Sequence, residues 1–351
     1  MIKVAQCYTG GVGSEIIRRL AEHPAMELVG VLVHSEDKAG RDAGELAGIG
    51  PIGVTTTQRL DDIVALNPDA AIWSGLGFEP ERLAVLLEAG INVYTGLGGY
   101  YMEGLPEHEL LESACQRGAA SFAAGGNIPG LVSDALPLFV SGFTGRIEHV
   151  TAHQRNHVAH YPSAVQLREG LGLGAQPSPS DPTTGTELSG NDAGWEWLIG
   201  MSAAMVAKGL SIPYSGLRTR RKDQALAPTT VTLPASGLTI ERGTVGGVRW
   251  TWDAYSGERV FLTVINEQTG VYELGDGWRQ DETAAAWTLT VDADPPVIAT
   301  MTWPDGLPAA TCNAKLNAAR AINFLPALVS APPGCRSLLD LPTITCSDAR
   351  R

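Results

Sequence analysis

Near its start the chain reads Ile2-Lys-Val-Ala-Gln-Cys-Tyr-Thr-Gly-Gly-Val-Gly13, and this stretch decides the fold. We interpret Ile2–Tyr8 as a buried strand and expect Gly13 to open a helix. The turn between them matches the dinucleotide-binding pattern G-x-G-x-x-G at its second and third glycines, Gly10 and Gly13. Tyr8 stands where the first glycine usually does. In this pattern the glycines permit a tight turn, a close approach of the backbone to pyrophosphate, and close packing of helix on strand.

A second strand, Met26–Val33, follows the helix, and short apolar runs then alternate with amphipathic runs along the first third of the chain. This alternation is typical of β-α-β units, in which right-handed crossovers join parallel strands. The further predicted strands are Ile52–Thr55, Ala70–Trp73, Ile91–Tyr94 and Ala119–Ala123, with helices near 79–89 and 106–117. We therefore predict a Rossmann domain that binds a dinucleotide through Thr9, Gly10, Gly11, Val12 and Gly13.

The alternation of short apolar runs with amphipathic runs ends after Gly130. A predicted helix (Leu131–Phe139) and strand (Arg146–His157) precede a loop at 171–191, and residues 229–301 alternate in the Thr-, Val- and Trp-rich manner of antiparallel strands. A last helix is predicted at Ala309–Phe324. The predicted fold class is thus an α/β Rossmann domain with a parallel sheet (1–135) and an α+β domain with a mainly antiparallel sheet (136–308). A C-terminal helix and tail (309–351) return to the Rossmann domain.

Composition limits the classes of partner. The 351 residues carry a formal net charge of −13, which argues against nucleic acid and against an acidic membrane surface. No stretch approaches 18 uninterrupted apolar residues, and the N-terminus lacks the apolar region of a signal peptide. We therefore expect a cytoplasmic protein with neither a nucleic-acid nor a membrane partner. We interpret one basic cluster as a solvated loop or a subunit contact, namely Arg218, Arg220, Arg221 and Lys222.

The cysteines and histidines do not predict a metal site. The five cysteines are odd in number and without C-x-x-C spacing, which is typical of reduced thiols with structural or incidental roles. His149, His153 and His157 point to one face of the predicted strand. Residues four apart on a strand lie about 13 Å from one another, too far for shared coordination. The metal prediction is therefore none.

The end of the second predicted strand indicates which cofactor is bound. An acidic residue there would bind the adenosine ribose and repel a 2′-phosphate, but the chain has His34 and Ser35, with Lys38 and Arg41 nearby. A hydroxyl with two cationic side chains suits a phosphate, because charge-assisted hydrogen bonds are strong. We predict NADP(H) as the cofactor. NAD(H) stays the alternative because the acidic pair 36–37 lies in the same segment.

Substrate residues are expected beyond the carboxyl ends of the parallel strands. Glu103 lies in a glycine-flanked loop after two tyrosines and a methionine, where partial burial would suit a general base. The alternative interpretation is a solvent-exposed loop glutamate. Asn127 follows the last predicted strand of this domain, and we assign it to the cofactor. The residues predicted to line the substrate pocket are Tyr101, Pro129, His160, Tyr161 and Trp197.

Four stretches resemble one protein group: Cys7–Gly13, the segment 34–45, the segment 126–134, and Asn323-Phe-Leu-Pro with Ala331-Pro-Pro-Gly. They are similar to the dihydrodipicolinate-reductase-like group, and most of all to its 2,4-diaminopentanoate dehydrogenase branch with the native amine dehydrogenases. The resemblance implies a second domain that completes the pocket and a dimer contact. It also implies that Asn323 lies near the nicotinamide. The paired histidines and lysine of true dihydrodipicolinate reductases are not found at 149–163.

The resemblance implies reductive amination of a small aliphatic or cyclic ketone or aldehyde with ammonia, in a homodimer, with Glu103 as the matching pocket glutamate. It also implies the reverse oxidative deamination of an amine. Two alternatives stay open. One is an NADP-dependent carbonyl reductase or alcohol dehydrogenase that uses Tyr100, Tyr101 or His160 as proton donor. The other is a protein that binds NADP(H) without turnover.

Overall fold

The computed structural model describes residues 1–177, 190–281, 286–304 and 309–348, and the chain forms two compact units. Unit 1 comprises Met1–Gly126 and Ala314–Arg351, and unit 2 comprises Asn127–Asn313. The boundaries between the units therefore lie at residues 126–127 and 313–314. The sequence analysis predicted them at 135 and 308. Part of the predicted loop 171–191 lies outside the described residues.

The elements alternate between strand and helix in unit 1 and are mostly strands in unit 2. The strands are β1 (Ile2–Cys7), β2 (Met26–Leu32), β3 (Thr56–Thr57), β4 (Ala70–Trp73), β5 (Asn92–Thr95), β6 (Ser121–Ala124), β7 (Gly145–His157), β8 (Gly216–Leu226), β9 (Val231–Thr232), β10 (Thr239–Ile240), β11 (Val245–Ser256), β12 (Arg259–Thr269), β13 (Trp287–Asp294), β14 (Val297–Met301) and β15 (Gly334–Arg336). The helices are α1 (Gly11–Leu20), α2 (Ala43–Ala47), α3 (Leu60–Ala65), α4 (Pro80–Glu88), α5 (His108–Gly118), α6 (Ala135–Ser141), α7 (Gly190–Gly209) and α8 (Ala309–Val329).

Unit 1 is built on a seven-stranded parallel sheet in the order β15-β6-β5-β4-β1-β2-β3. Alternate residues of its strands enter two cores, because successive side chains of a strand point to opposite faces. Val4 packs on one face with side chains of α1 and α8, and Ala5 packs on the other with side chains of α4 and α5. Both faces are covered, as a parallel sheet requires.

Unit 2 contains a six-stranded mixed sheet in the order β14-β13-β7-β12-β11-β8. Only the β7–β12 pair is parallel among its pairings, so the sheet is mainly antiparallel. Helix α7 packs on this sheet, where Trp195 meets Trp250 and Trp252 at ring-centroid distances of 5.8 and 6.4 Å. The predicted fold class, a Rossmann domain followed by an α+β domain, is confirmed.

Several predicted element bounds are wrong. In two cases the reason is a carboxylate that accepts backbone N–H groups. The strand predicted at Ile52–Thr55 is a turn held by the Asp42 carboxylate, which accepts the N–H groups of Ile52 and Gly53, and β3 follows it. The helix predicted from Leu131 begins at Ala135, because the Asp134 carboxylate accepts the Ala135 N–H and caps it there.

The basic cluster 218–222 lies on strand β8 and not in a loop. Each of its cations already has a partner in unit 2: Arg218 lies over the Tyr255 ring, and the other three pair with Asp253, Asp223 and Asp192. These contacts account for the cluster as a structural feature of an edge strand. Among the described residues, no helix is both long enough and apolar enough to cross a membrane.

Candidate functional site

The glycine turn joins the carboxyl end of β1 to the start of α1, which begins at Gly11 and not at the predicted Gly13. A Cβ added at Gly13 would lie 2.1 Å from the Tyr8 carbonyl oxygen, so this position admits only glycine. A Cβ added at Gly10 would meet no atom within 4 Å. The third glycine of the pattern is thus required by the packing of α1 on β1, whereas the second faces open space beside the turn.

Tyr8 takes the left-handed backbone conformation, with φ at 74°, at the place where the pattern usually has its first glycine. This conformation costs a non-glycine residue roughly 1–2 kcal/mol. The side chain is anchored, since its hydroxyl accepts a 2.6 Å hydrogen bond from Arg82 and its ring packs edge-on against Trp73. Burial raises the pKa of Tyr8 to about 12, so the phenol stays protonated at neutral pH. These contacts explain how a tyrosine replaces the first glycine.

The start of α1 has the properties of a pyrophosphate site. Gly10 is its N-cap residue and offers no side-chain cap, so the first backbone N–H groups of the helix point outward without partners from the helix itself. Neither acidic nor bulky side chains occupy the first turn, which reads Gly11-Val12-Gly13. Free N–H groups and the positive end of the helix dipole attract phosphate oxygens. The residues present therefore fit the pyrophosphate of a dinucleotide.

The side chains predicted to select the cofactor lie beside this turn. Lys38 Nζ donates a 3.3 Å hydrogen bond to Thr9 Oγ1, which joins the segment after β2 to the turn after β1. Ser35 is half-buried, while His34 and Arg41 are exposed. The Arg41 guanidinium pairs with no acid among the described residues. Two cations and a hydroxyl are thus available at the sheet edge where the adenosine ribose of a dinucleotide would lie.

Glu103 lies in the loop that follows β5, also at the carboxyl edge of the sheet. The Tyr101 hydroxyl donates a hydrogen bond to the Glu103 carboxylate, and burial together with this bond raises the pKa of Tyr101 well above its usual range. Glu103 itself is exposed within unit 1, and the Met102 side chain between them is buried. The loop therefore presents an oriented carboxylate at the same edge as the glycine turn.

Tyr100 is a structural residue of this loop. Its hydroxyl donates a 2.7 Å hydrogen bond to the Gly96 carbonyl oxygen, and its side chain is buried. A Cβ at Gly99 would lie 2.4 Å from the Phe122 ring, and Gly99 has a positive φ of 86°. Only glycine fits both requirements, so the loop has one well-defined path between β5 and Glu103.

Unit 2 brings together two predicted residues through one that the sequence analysis missed. The Asn127 side-chain amide donates to Asn313 Oδ1, and Asn313 Nδ2 donates a 3.1 Å bond to the Tyr161 hydroxyl. Asn127 and Asn313 are both buried. Asn313 lies 186 positions from Asn127 along the chain and in an ordinary helical pattern, so no signal in the sequence singled it out.

The other predicted pocket residues also belong to unit 2. Pro129 is buried, Trp197 is half-buried, and His160 is exposed. His157, near the end of β7, stacks on Tyr272 at a ring-centroid distance of 3.9 Å and exchanges a hydrogen bond with Thr269. It is therefore a packed core residue.

Asn323 lies away from the glycine turn. Its Oδ1 accepts hydrogen bonds of 2.8 and 2.9 Å from the N–H and hydroxyl of Ser347. The same Ser347 hydroxyl lies 3.3 Å from His23, just beyond the C-terminal end of α1. The ten residues of α1 separate that end from the turn by about 15 Å. Asn323 thus secures the C-terminal segment at the opposite edge of the sheet from Gly10.

Two family models match the chain. Residues 4–94 match the model described as dihydrodipicolinate reductase, N-terminus. Residues 131–350 match the model described as 2,4-diaminopentanoate dehydrogenase C-terminal domain. The two matches follow one another along the chain as the resemblance in the sequence implied.

Relatives along the whole chain agree with these matches. An amine dehydrogenase from Streptomyces virginiae is 28% identical over 97% of this chain and 96% of its own length. A 2,4-diaminopentanoate dehydrogenase from Acetoanaerobium sticklandii is 22% identical over 97% of this chain and 93% of its own length. The solved structure of an amine dehydrogenase from Mycobacterium smegmatis has the same fold, with a TM-score of 0.77 at 18% identity over 98% of this chain and 97% of that chain. The predicted resemblance is confirmed, and the chain belongs to the 2,4-diaminopentanoate dehydrogenase C-terminal domain family.

Proposed function

We propose that this protein is an NAD(P)H-dependent amine dehydrogenase that acts on CH–NH2 groups, with Glu103 as its catalytic carboxylate. One observation carries the proposal: the loop after β5 presents Glu103, oriented by Tyr101, at the sheet edge that carries the glycine turn. The family and the named relatives support the same class of reaction. The substrate class we infer is a small ketone or aldehyde, with ammonia as co-substrate.

In the proposed reaction, the carbonyl compound and ammonium lose water to give an iminium ion, and hydride addition to its carbon gives the amine. A bound NAD(P)H would supply this hydride and would be oxidised to NAD(P)+. The Glu103 carboxylate takes a proton from ammonium, so that ammonia can add to the carbonyl carbon, and then returns that proton to the carbinolamine hydroxyl, which leaves as water. Its negative charge also stabilises the positive iminium, because a fixed charge opposite a developing one lowers the barrier. The Tyr101 hydroxyl holds the carboxylate in place for both roles.

The residues that would hold the cofactor are those of the turn and the neighbouring segment. The N–H groups of 11–13 would bind the pyrophosphate, while Lys38, Ser35 and Arg41 would bind a 2′-phosphate on the adenosine ribose. We therefore propose NADP(H) as the preferred cofactor, with NAD(H) also accepted. The roles of His34, Asn127 and the unit 2 pocket residues stay predictions, as does a role of Asn323 at the nicotinamide, which its hydrogen bonds with Ser347 do not support.

The experiment measures NADPH and NADH consumption with a panel of small ketones and aldehydes, with and without ammonium. We expect turnover that requires ammonium, and a loss of about 100- to 10,000-fold in kcat for Glu103→Gln. Glu81→Gln, which neutralises an exposed carboxylate on α4, is the matched control and keeps full activity. Full activity of Glu103→Gln would refute the catalytic assignment while the reaction class stood.

The same assay distinguishes an amine dehydrogenase from the two alternative functions. Turnover of ketones without any effect of ammonium would instead identify a carbonyl reductase. For that reaction Tyr100 is a poor donor, because its hydroxyl already bonds to the Gly96 carbonyl. Tight binding of the dinucleotide with no turnover of any ketone, aldehyde, alcohol or amine would identify a non-catalytic binding protein.

A further inference from the structure

Helix α5 carries three side chains of metal-binding types on one face, namely His108, Glu112 and Cys115. Positions i, i+4 and i+7 of a helix lie along the same face. Cys335 of β15 completes the group: one ring nitrogen of His108, one Glu112 oxygen and the Cys335 sulfur all lie within 4.8 Å of one another. The buried Cys115 thiol interacts with Cys335. All four residues belong to unit 1.

We propose that this group is a binding site for Zn2+ or a cation of the same class, with His108, Glu112 and Cys335 as its protein ligands. Zinc binds imidazole, carboxylate and thiolate at about 2.0–2.3 Å in a tetrahedron, which places ligand atoms about 3.3–3.8 Å apart. The observed separations of up to 4.8 Å need to shorten by about 1.5 Å at most, within reach of side-chain rotation. Mg2+ and Ca2+ prefer oxygen ligands alone and are not expected to bind.

Glu112 is already oriented as a ligand would be. One carboxylate oxygen accepts a 2.8 Å hydrogen bond from the Cys335 backbone N–H, and the other accepts a 2.8 Å bond from the Gln116 amide. A carboxylate has about four lone-pair positions, so a cation can bind without displacing either donor. Outer hydrogen bonds of this kind fix the direction of metal ligands and strengthen binding.

One nearby positive charge, the Arg336 guanidinium, opposes a cation. The Arg336 guanidinium donates to the carbonyl oxygens of Pro332 and Pro333. A bound cation replaces the proton of the Cys335 thiol, as at other thiolate sites.

The site is open to solvent and lies next to the loop that carries Glu103. His108 and Glu112 line a surface groove whose wall includes 104–106, the residues directly after Glu103. A cation at this place would join the start of α5 to β15, two elements that are far apart along the chain. We therefore expect it to stabilise unit 1 and to restrain the base of the Glu103 loop.

The test uses Co2+ as a spectroscopic substitute for Zn2+, with full-length, reduced, chelator-treated protein that carries no histidine tag. We expect one equivalent of Co2+ to give a thiolate charge-transfer absorption, which Zn2+ abolishes and Mg2+ leaves unchanged. We also expect Zn2+ at about 100 times its dissociation constant to raise Tm by about 5–10 °C. Absence of the absorption in the reduced wild type would overturn the proposal. Later oxidation of Cys115 and Cys335 to a disulfide would not change that conclusion.

Variants assign the ligands. Cys335→Ser and His108→Ala are expected to weaken Co2+ binding at least tenfold, and Cys335→Ser also to remove at least half of the charge-transfer absorption. Cys346→Ser, which removes an exposed thiol elsewhere in the C-terminal segment, is the control and keeps both. Circular dichroism verifies that each variant is folded. Undiminished absorption in folded Cys335→Ser, or its loss in Cys346→Ser, would contradict the proposed site. The outcome does not depend on which reaction the enzyme catalyses.

Discussion

At the residue scale, Gly10 and Gly13 share a motif but differ in what surrounds them, which leads to opposite expectations for the same substitution. Gly13→Ala puts a methyl group against the Tyr8 carbonyl, and we expect a loss of about 1–3 kcal/mol or more in unfolding free energy. Gly10→Ala meets open space at a φ of −71° that alanine adopts readily, so stability is kept or rises by up to about 1 kcal/mol.

Comparison of Gly10→Ala with Gly13→Ala distinguishes an effect on folding from an effect on cofactor binding. Because the space beside Gly10 is where pyrophosphate would approach, we expect Gly10→Ala to bind NADPH at least tenfold more weakly, about 1.4 kcal/mol. Urea unfolding gives the stability of both variants, and fluorescence titration gives the NADPH affinity of Gly10→Ala. An unchanged affinity in a stable Gly10→Ala protein would contradict the assignment of this turn to the dinucleotide.

Tyr101→Phe tests whether Glu103 needs its hydroxyl donor. A hydrogen bond to a charged group contributes about 1.5–3 kcal/mol, so we expect kcat to fall roughly 10- to 100-fold. The dissociation constant of NADPH should hardly change, since Tyr101 belongs to the loop after β5. Tyr214→Phe, which removes a hydroxyl that bonds to the Gly200 carbonyl, is the control with unaffected kinetics. Equal losses in both variants would indicate a general effect on the fold.

Lys38→Met tests the choice of dinucleotide. The ammonium group would make a charge-assisted bond to a 2′-phosphate, so we expect NADPH to bind roughly 10- to 100-fold more weakly, while NADH binding stays the same. Parallel titrations with the two reduced cofactors measure the ratio. A similar loss for both would place Lys38 at the pyrophosphate or in the packing with Thr9.

Sequence patterns predict a residue best where its role depends on neighbours along the chain. The glycine turn and the Lys38–Thr9 neighbourhood followed from the strand–turn–helix order, because adjacent strand ends meet at one edge of a parallel sheet. Asn313 could not be found in this way, since its partners Asn127 and Tyr161 are distant in sequence. Helical periodicity likewise could not predict the hydrogen bond between Asn323 and Ser347.

At the scale of elements, strands β7, β11 and β12 are joined by a buried carboxylate, Glu267. It accepts hydrogen bonds from Arg249 and from the Arg279 backbone N–H, and it lies 3.8 Å from His153. Burial alone would raise the pKa of Glu267, but these partners outweigh it and lower the pKa. Removing one partner of such a buried pair costs about 3–5 kcal/mol. We expect a loss of that order for Glu267→Gln at pH 7, measured by urea unfolding.

The same contacts determine how stability depends on pH. A carboxyl whose folded pKa is lowered contributes stability above its ordinary pKa of 4.5 and loses it as pH falls through the folded value. Burial lowers the pKa of His153 from 6.5, so its protonation in the unfolded state also favours unfolding as pH falls below that value. We expect the unfolding free energy to decline from about pH 6.5 downward. The decline should be shallower in Glu267→Gln, whereas the exposed control Glu258→Gln should follow the wild type.

The existence of most elements could be predicted from the sequence, but their ends could not. Long apolar or alternating runs predicted β1, β2, β4 and β7 within one or two residues. The strand predicted at 52–55 was displaced, because the Asp42 carboxylate captures the backbone N–H groups there. The hydrophobic periodicity of residues 52–55 cannot reveal a contact with a carboxylate ten residues upstream. Tertiary hydrogen bonds of this kind, and not local propensity, determined where the segment turned.

At the scale of the molecule, we predict a homodimer. Unit 2 exposes apolar side chains on β14 and α6: Ile298 is 72% exposed and Phe139 is 63% exposed. Such side chains on an edge strand and a surface helix favour association, because covering them removes apolar surface from water. Light scattering coupled to size exclusion should give twice the chain mass of 37.0 kDa. A mass of 37.0 kDa at micromolar concentration would contradict the dimer.

The parallel sheet of unit 1 has a consequence for how the protein is made on the ribosome. Strand β15 pairs with β6, and the part of α8 that belongs to unit 1 covers one face of the sheet, yet both are translated only after the whole of unit 2. At about 5–20 residues per second, unit 2 delays them by roughly 10–40 s. During that interval the nascent sheet has the open edge of β6 and an uncovered apolar face. We expect this half-finished domain to recruit trigger-factor-type or Hsp70-type chaperones during synthesis, and to be the species that aggregates when translation stalls near residue 313.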